Sequence, residues 1–517
     1  MSGDPSTAGP AQLRGGKLAL TALALAGGTF MQVLDSTIAN VSLPTICGYL
    51  GVAPSNGTWV ITAFAATNGV LVPLTGWLMA RFGVVRVFCV ALVAFTIASI
   101  LCGIAWDLPS LVIFRILQGA VSGPLIPGSQ ALLIAVFPPQ KRATALTVWS
   151  MTTMSAPIFG PVLGGYISDN YYWGWIFFIN VPIGFLAAAV TWRNLAKRET
   201  STRKLPIDIG GLMLLTFWVF SLQTMLDLGK DRDWFNNSLI VALAICATVG
   251  FVAWVIWEMT EGRPAVDLSL FKSRNFTVSV IGMSLGYGLF FSNNVLLPLW
   301  LQTEMNYTAT WAGLVAAPAG IVACLVAPMV GRARWDPRIT ATIAFAAFGL
   351  DFWLRSGYTP DVSFTRLQLP LFFQGIGFAT LFVPFLSIML DGIPPEKVPS
   401  ATGLSNFVRI TAGSFGASII TTFWDRREAL HQSRLVDSMT ETAPVFRQAT
   451  NLMQDLGMSS GQAVGAIGRQ VVNQAYMLST LDLFRFSSCA ALATIGIVWI
   501  ARKPRPSGSS APPPPGD

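Results

Sequence analysis

Fourteen apolar stretches of about twenty residues constrain this chain more than anything else in it. They run at 18–38, 58–79, 85–105, 109–133, 144–168, 174–192, 207–226, 238–257, 276–301, 311–331, 339–355, 366–390, 400–423 and 479–501. A helix of roughly 20 apolar residues crosses the hydrocarbon of a bilayer. Within hydrocarbon only helices and closed barrels satisfy every backbone polar group, and barrel strands are shorter and alternate in polarity. The expectation is an all-α polytopic membrane protein with 14 transmembrane helices. Composition agrees, since only 11% of the residues are charged against roughly 25% in soluble domains. The apolar stretch after Lys17 is of spanning length and lacks a small-residue cleavage site, so it reads as the first helix and not as a signal peptide.

An even number of spans puts both termini on one side. With that side cytoplasmic, about 21 of the 33 Lys and Arg residues fall inside, and five of the seven outside lie in one long loop where charge carries little orienting weight. The net charge of +8 therefore follows from orientation and calls for no nucleic acid partner. Six scattered cysteines without a Cys-x-x-Cys pair read as small packing residues, and one histidine, His431, excludes a multi-histidine metal site. Residues 1–16 and 504–517 have nothing apolar to bury and read as disordered cytoplasmic ends. The loop 424–478 differs: Ile467, Val471 and Ala475 recur at helical spacing, which predicts one or two amphipathic helices, lying on their own membrane domain or docking a partner.

The chain also repeats itself. Asn40-Val41-Ser42-Leu43-Pro44 returns as Asn294-Val295-Leu296-Leu297-Pro298, Thr58-Trp59 as Thr310-Trp311, Gln118-Gly119 as Gln374-Gly375, and Pro138-Pro139-Gln140-Lys141 as Pro394-Pro395-Glu396-Lys397, all about 252 to 256 residues apart. A constant offset kept in order pairs segments one to six with nine to fourteen. The predicted organisation is a six-helix bundle at 17–205, two inserted helices within 206–260, and a second bundle at 275–503 that includes the loop 424–478. Parallel halves of this kind suit alternating access to a site near mid-membrane.

Asp35 lies where hydrocarbon should surround it. A carboxylate there costs several kcal/mol unless it faces water, finds a cation or takes a proton. It is the leading proton-carrier candidate, the competing reading being a helix cap or a structural ion pair. Arg115, inside the fourth segment, stays charged and must find an acid, a cavity or helix-end carbonyls. Near Asp35 it would favour the ionised carboxylate while burial favours the protonated one. The repeat places Leu371 at the matching position of the second half, so this charge is no part of the shared scaffold. In the fifth segment Pro157 and Pro161 remove backbone donors, and Gly160, Gly164 and Gly165 let another helix close in. Gly76, Arg81, Gly83 and Arg86 form a basic turn after the second segment, able to meet helix C-termini or simply to obey the charge rule. The charge pairs Asp351/Arg355 and Asp482/Arg485 stand at helical spacing. Gln32, Asn40, Gln118, Asn294 and Gln374 are the polar candidates for a cavity lining. No nucleophile–base set, metal cluster or phosphate loop is evident, which disfavours an enzyme, and the lack of a sizeable soluble domain disfavours a receptor or scaffold.

Leu34-Asp35-Ser36-Thr37-Ile38-Ala39-Asn40-Val41, Gly76 to Arg86, Arg115 with Gln118-Gly119, and Gly160-Pro161-Val162-Leu163-Gly164-Gly165 together resemble the signatures of the fourteen-helix drug:proton antiporter family of the major facilitator superfamily. The likeness runs over essentially the whole chain. It implies export of hydrophobic or amphiphilic drugs across a bacterial inner membrane, driven by the proton gradient without a bound cofactor. It also implies a periplasmic adaptor of the EmrA type and a TolC-like outer-membrane channel. One departure stands out: the acid usual in the turn after the second helix is Ala80 here. Export of a single metabolite, such as a fatty acid or siderophore, remains the alternative, because fold does not set cargo.

Overall fold

The computed structural model describes residues 15–52, 57, 59–138, 141–200, 202, 208–229, 232–262, 266–332, 335–394, 397–437, 439 and 444–503. The ends expected to be disordered, the basic residues Arg14, Arg203, Lys204, Lys230, Arg263, Arg334 and Arg505, and the repeat residues Thr58, Pro139, Gln140, Pro395 and Glu396 lie outside these, except that Gly16 already opens the first helix.

The first half comprises α1 (Gly16–Leu50), α2 (Trp59–Leu71), α3 (Thr75–Phe82), α4 (Val84–Gly103), α5 (Leu108–Ser122), α6 (Leu125–Val136), α7 (Arg142–Asn170), α8 (Trp175–Phe178) and α9 (Asn180–Leu195). Two further helices follow, α10 (Ile209–Gly229) and α11 (Ser238–Thr260). The second half contains α12 (Arg274–Thr303), α13 (Ala309–Arg332), α14 (Pro337–Arg355), α15 (Phe364–Gln368), α16 (Leu371–Met389), α17 (Val398–Asp437), α18 (Pro444–Asp455) and α19 (Ser460–Val498). The architecture is all-helical, and every one of the fourteen apolar segments coincides with helix. Among the described residues ten helical spans are long and apolar enough to cross a membrane, and the pair α2 and α3, bent by 56°, makes an eleventh. The bend falls at Pro73, which has no N–H to continue the ladder. Long helices such as α14 and α17 carry charged side chains that weaken their apolar signal.

The repeat is visible as packing. A Cβ on Gly119 would run into Thr67 and the Phe64 backbone, and one on Gly375 into the Ala319 carbonyl, so the two Gln-Gly pairs bring α5 onto α2 and α16 onto α13 in matching fashion. Each half has its own aromatic core, around Phe88 and Phe95 in the first and Phe345, Phe348, Phe352 and Phe385 in the second. A further cluster joins Trp218 of α10 and Trp254 of α11 to Val70 of the first half and to Phe276 and Phe407 of the second. The inserted helices thus sit against the seam without entering it.

The loop 424–478 departs from expectation. Most of it is the continuation of α17 and α19 as a helical hairpin, and only α18 stands apart. The stripe Ile467, Val471 and Ala475 is buried, and the hairpin is fastened by Trp424 Nε1 donating to Thr480 at 2.8 Å and Ser479 donating to the Trp424 carbonyl at 2.6 Å. Apolar residues at spacings of four extend a helix as readily as they begin a new one, so periodicity alone could not tell the two apart.

Candidate functional site

Asp35 of α1 is 1% exposed and sits among three donors drawn from two other helices. Arg115 of α5 pairs with its Oδ2 at 2.6 Å, while its Oδ1 accepts from Gln118 Nε2 at 3.0 Å and from Asn180 Nδ2 of α9 at 2.7 Å. Gln118 also donates to Ser99 of α4 at 2.8 Å and accepts from Arg115 at 2.7 Å. The Arg115 Nε donates to the Val60 carbonyl of α2 at 3.0 Å, and the guanidinium lies 4.3 Å from the Phe64 ring centre. A buried ion pair is tolerable only when its remaining lone pairs and protons are bonded, and here both carboxylate oxygens are. Arg115 is held in register by the start of its helix, where Asp107 accepts from the Ser110 N–H at 2.9 Å in a capping box; those hydrogen bonds hold the Asp107 carboxyl below its usual range.

The Gly/Pro stretch of α7 positions α1. A Cβ on Gly160 would strike Thr37, and one on Gly164 would come within 3.3 Å of the Ile38 carbonyl, both within a turn of Asp35. The helix runs through Pro157 and Pro161, and Gly165 is buried. At the basic turn Gly83 adopts φ 94°, a left-handed conformation that suits glycine. At the same turn Glu199, after α9, accepts from the N–H groups of Val85 at 3.0 Å and Arg86 at 2.9 Å. An acid thus caps a helix N-terminus where the sequence suggested bases at C-termini. Gly76 packs directly on Ser400 across the seam, and the Arg81 guanidinium lies 5.6 Å from the Trp77 ring centre.

A cavity of about 150 Å³ lies on the seam. Its first-half wall sets the polar side chains Gln32, Ser36, Asn40, Asn68 and Arg115 among apolar ones such as Phe64 and Trp149; its second-half wall carries the aromatic residues Tyr287, Phe291, Phe378 and Phe382. It is bracketed by contacts between the halves, Thr310 donating to Asp169 at 3.2 Å toward the hairpin and Gly76 against Ser400 toward the other end. Gln32 and Asn40 line this cavity; Gln118 bonds Asp35 and Arg115, and Asn294 and Gln374 are not among the lining residues. Helical phase explains this, since Asn294 is half-buried while its neighbour Asn293 turns inward and donates to Ser487 at 3.2 Å. Sequence reasoning missed Asn180 and Tyr287 and left Arg409 without a role. For Asn180 the available signal was a lone amide at membrane depth.

Two repeated helical bundles closed around a seam, with a buried acid–guanidinium cluster beside a central cavity, define a polytopic membrane transporter fold. The chain belongs to the Major Facilitator Superfamily, whose sequence pattern matches residues 25–417. It is 47% identical over 499 residues to the multidrug export protein EmrB of Escherichia coli K12, covering 96% of this chain and 98% of that protein. It is 45% identical over 498 residues to the fatty acid resistance protein FarB of Neisseria gonorrhoeae, covering 96% and 98%. The solved human organic anion transporter MFSD10 (TETRAN) superposes with a TM-score of 0.59 at 13% identity, over 94% of this chain and all of that one, a likeness of fold alone.

Proposed function

We propose that the chain is a proton-coupled multidrug exporter that moves hydrophobic or amphiphilic compounds out across a bacterial inner membrane, with both termini cytoplasmic and no covalent chemistry. The observation that carries this is the Asp35–Arg115 pair, fully buried and tied to helices α1, α2, α4, α5 and α9. A carboxylate held by donors on separate helices changes its proton affinity whenever those helices shift, which is what coupling requires. Asp35 carries the proton, Arg115 tunes its affinity, and the glycines of α7 permit α1 to move as the two six-helix halves rock. The cavity receives cargo. Because Asp35 stands behind Arg115 and not on the cavity wall, cargo and proton communicate through Arg115 and helix position. Similarity to EmrB over nearly the whole chain supports the multidrug reading.

The hairpin of α17 and α19 with α18 is the proposed contact for a periplasmic adaptor of the EmrA type, itself joined to a TolC-like outer-membrane channel. Its buried stripe is used internally, so the exposed Leu452, Leu456 and Val464 are the surface left for that contact.

The deciding experiment adds candidate drugs to purified protein in weak buffer. Drug-dependent proton release that disappears in Asp35→Asn is the expected result; equal release from the variant would remove Asp35 from the role. Similarity to FarB keeps a single-metabolite exporter as the second reading, distinguished by whether structurally unrelated drugs all trigger release.

A further inference from the structure

Arg409 of α17 is the other cation on the cavity wall, and among the described residues it has no carboxylate partner. It stands eleven residues into its helix, about 17 Å from the helix start and so near the middle of a hydrocarbon core roughly 30 Å thick. The residue is 6% exposed. One nitrogen, Nη2, donates to Asn406 Oδ1 at 2.8 Å, while the buried Nε–H has no acceptor among the described residues. Asn406 is itself held, donating to the Thr402 carbonyl at 2.8 Å and to Gln130 of α6 at 3.4 Å. The guanidinium is placed over aromatic faces, 4.6 Å from the Tyr287 ring centre and 5.2 Å from that of Phe382.

A guanidinium stays protonated at any working pH, and burying it without an anion is costly. Aromatic faces offset part of that cost but leave the N–H donors unbonded. Arg115 faces the same cavity with its charge balanced by Asp35, so the two guanidiniums stand against one carboxylate and the cavity carries a surplus positive charge. An anionic group in the cavity would balance that surplus charge. The rest of the wall around Arg409 is aromatic and suits an apolar body.

We infer that Arg409 is a specificity-determining residue that anchors cargo bearing one carboxylate or similar anionic group, with its apolar or aromatic body against Phe291, Phe378 and Phe382. This rests on the reading of the cavity as the cargo site. It deepens that reading by naming the class of cargo the site prefers.

The test measures binding of two probes with the same body, 1-naphthylacetate and its neutral amide 1-naphthylacetamide, to the purified full-length protein through quenching of tryptophan fluorescence. The native protein is expected to bind the anion at least tenfold more tightly than the amide. Arg409→Gln should bring the two within twofold by weakening only the anion, and Arg409→Lys should keep an intermediate preference, since an ammonium retains charge but not the planar fork. Equal affinities in the native protein overturn the inference even if the glutamine variant fails to fold, and so does a ratio unchanged in Arg409→Gln. Phe378→Ala separates the two levels of the claim. If it weakens both probes while Arg409→Gln leaves their ratio intact, the anion assignment alone falls; if neither substitution affects either probe, the cavity is not the binding site and both readings fall together.

Discussion

The two halves share a scaffold and differ in chemistry. Gly119 against Phe64 and Gly375 against Ala319 are the same contact made twice, yet Arg115 in the first half is matched by the buried apolar Leu371 in the second. The second half has its own buried acid, but of another kind. Asp351 and Arg355 pair at 2.8 Å four residues apart on α14, and Asp351 Oδ2 has no hydrogen-bond partner among the described residues. Both partners of that pair lie on one helix, although the Arg355 guanidinium also rests 5.6 Å from the Phe484 ring centre of α19. Asp35 is bonded from α5 and α9, two helices other than its own. A nonlocal pair can report conformation, whereas a local one can only stabilise.

The sharpest way to break this comparison is to neutralise each acid. Asp35→Asn is expected to reduce proton-driven efflux in proteoliposomes to background and, by stranding Arg115, to lower stability by about 3–5 kcal/mol while the protein still folds. Asp351→Asn should leave efflux coupled while costing a comparable amount of stability by stranding Arg355, seen as a lower unfolding temperature. If Asp351→Asn uncouples transport and Asp35→Asn does not, the halves have been assigned the wrong way round. Next comes Asn180→Leu, which removes one donor from Asp35; a loss of about 1–3 kcal/mol in stability, with a displaced pH profile of efflux, is expected. Overpacking the repeated contact tests the shared scaffold. Gly119→Val and Gly375→Val should each destabilise by about 1–3 kcal/mol in thermal unfolding, and a harmless Gly375→Val would mean the repeat is not mechanically symmetric.

The smallest expected effect concerns Lys397 and Asp267, 2.7 Å apart, which tie the segment after α11 to the residue before α17. Partial burial raises the Asp267 pKa, but hydrogen bonds and the charge of Lys397 outweigh it and the net shift is downward. A depressed folded pKa gives stability that is present above the unfolded value near 3.9 and lost as pH falls through the folded one. Asp267→Asn should therefore lower the unfolding temperature only slightly at neutral pH, consistent with about 0–1 kcal/mol for a half-exposed pair, and not at all once the pH lies below the folded pKa.

Spans, repeat and charge asymmetry were legible from residue order, because hydrophobic length and periodicity are local properties. So were Asp35 and Arg115 as anomalies, since a charge in an apolar run is costly wherever the chain goes. The Asp351/Arg355 pair was readable too, because spacing of four on one helix brings side chains together without help from the fold. Tertiary structure alone decided that Asp35 and Arg115 meet, that Asn180 and Gln118 complete their shell, that Glu199 caps the start of α4, and that Asn294 and Gln374 turn away from the cavity. It also decided that Arg409 faces the cavity without a carboxylate partner among the described residues. Each of these depends on how separate helices rotate and pack against one another, and that is set by interhelical contacts such as Gly160 on Thr37, which no single segment contains.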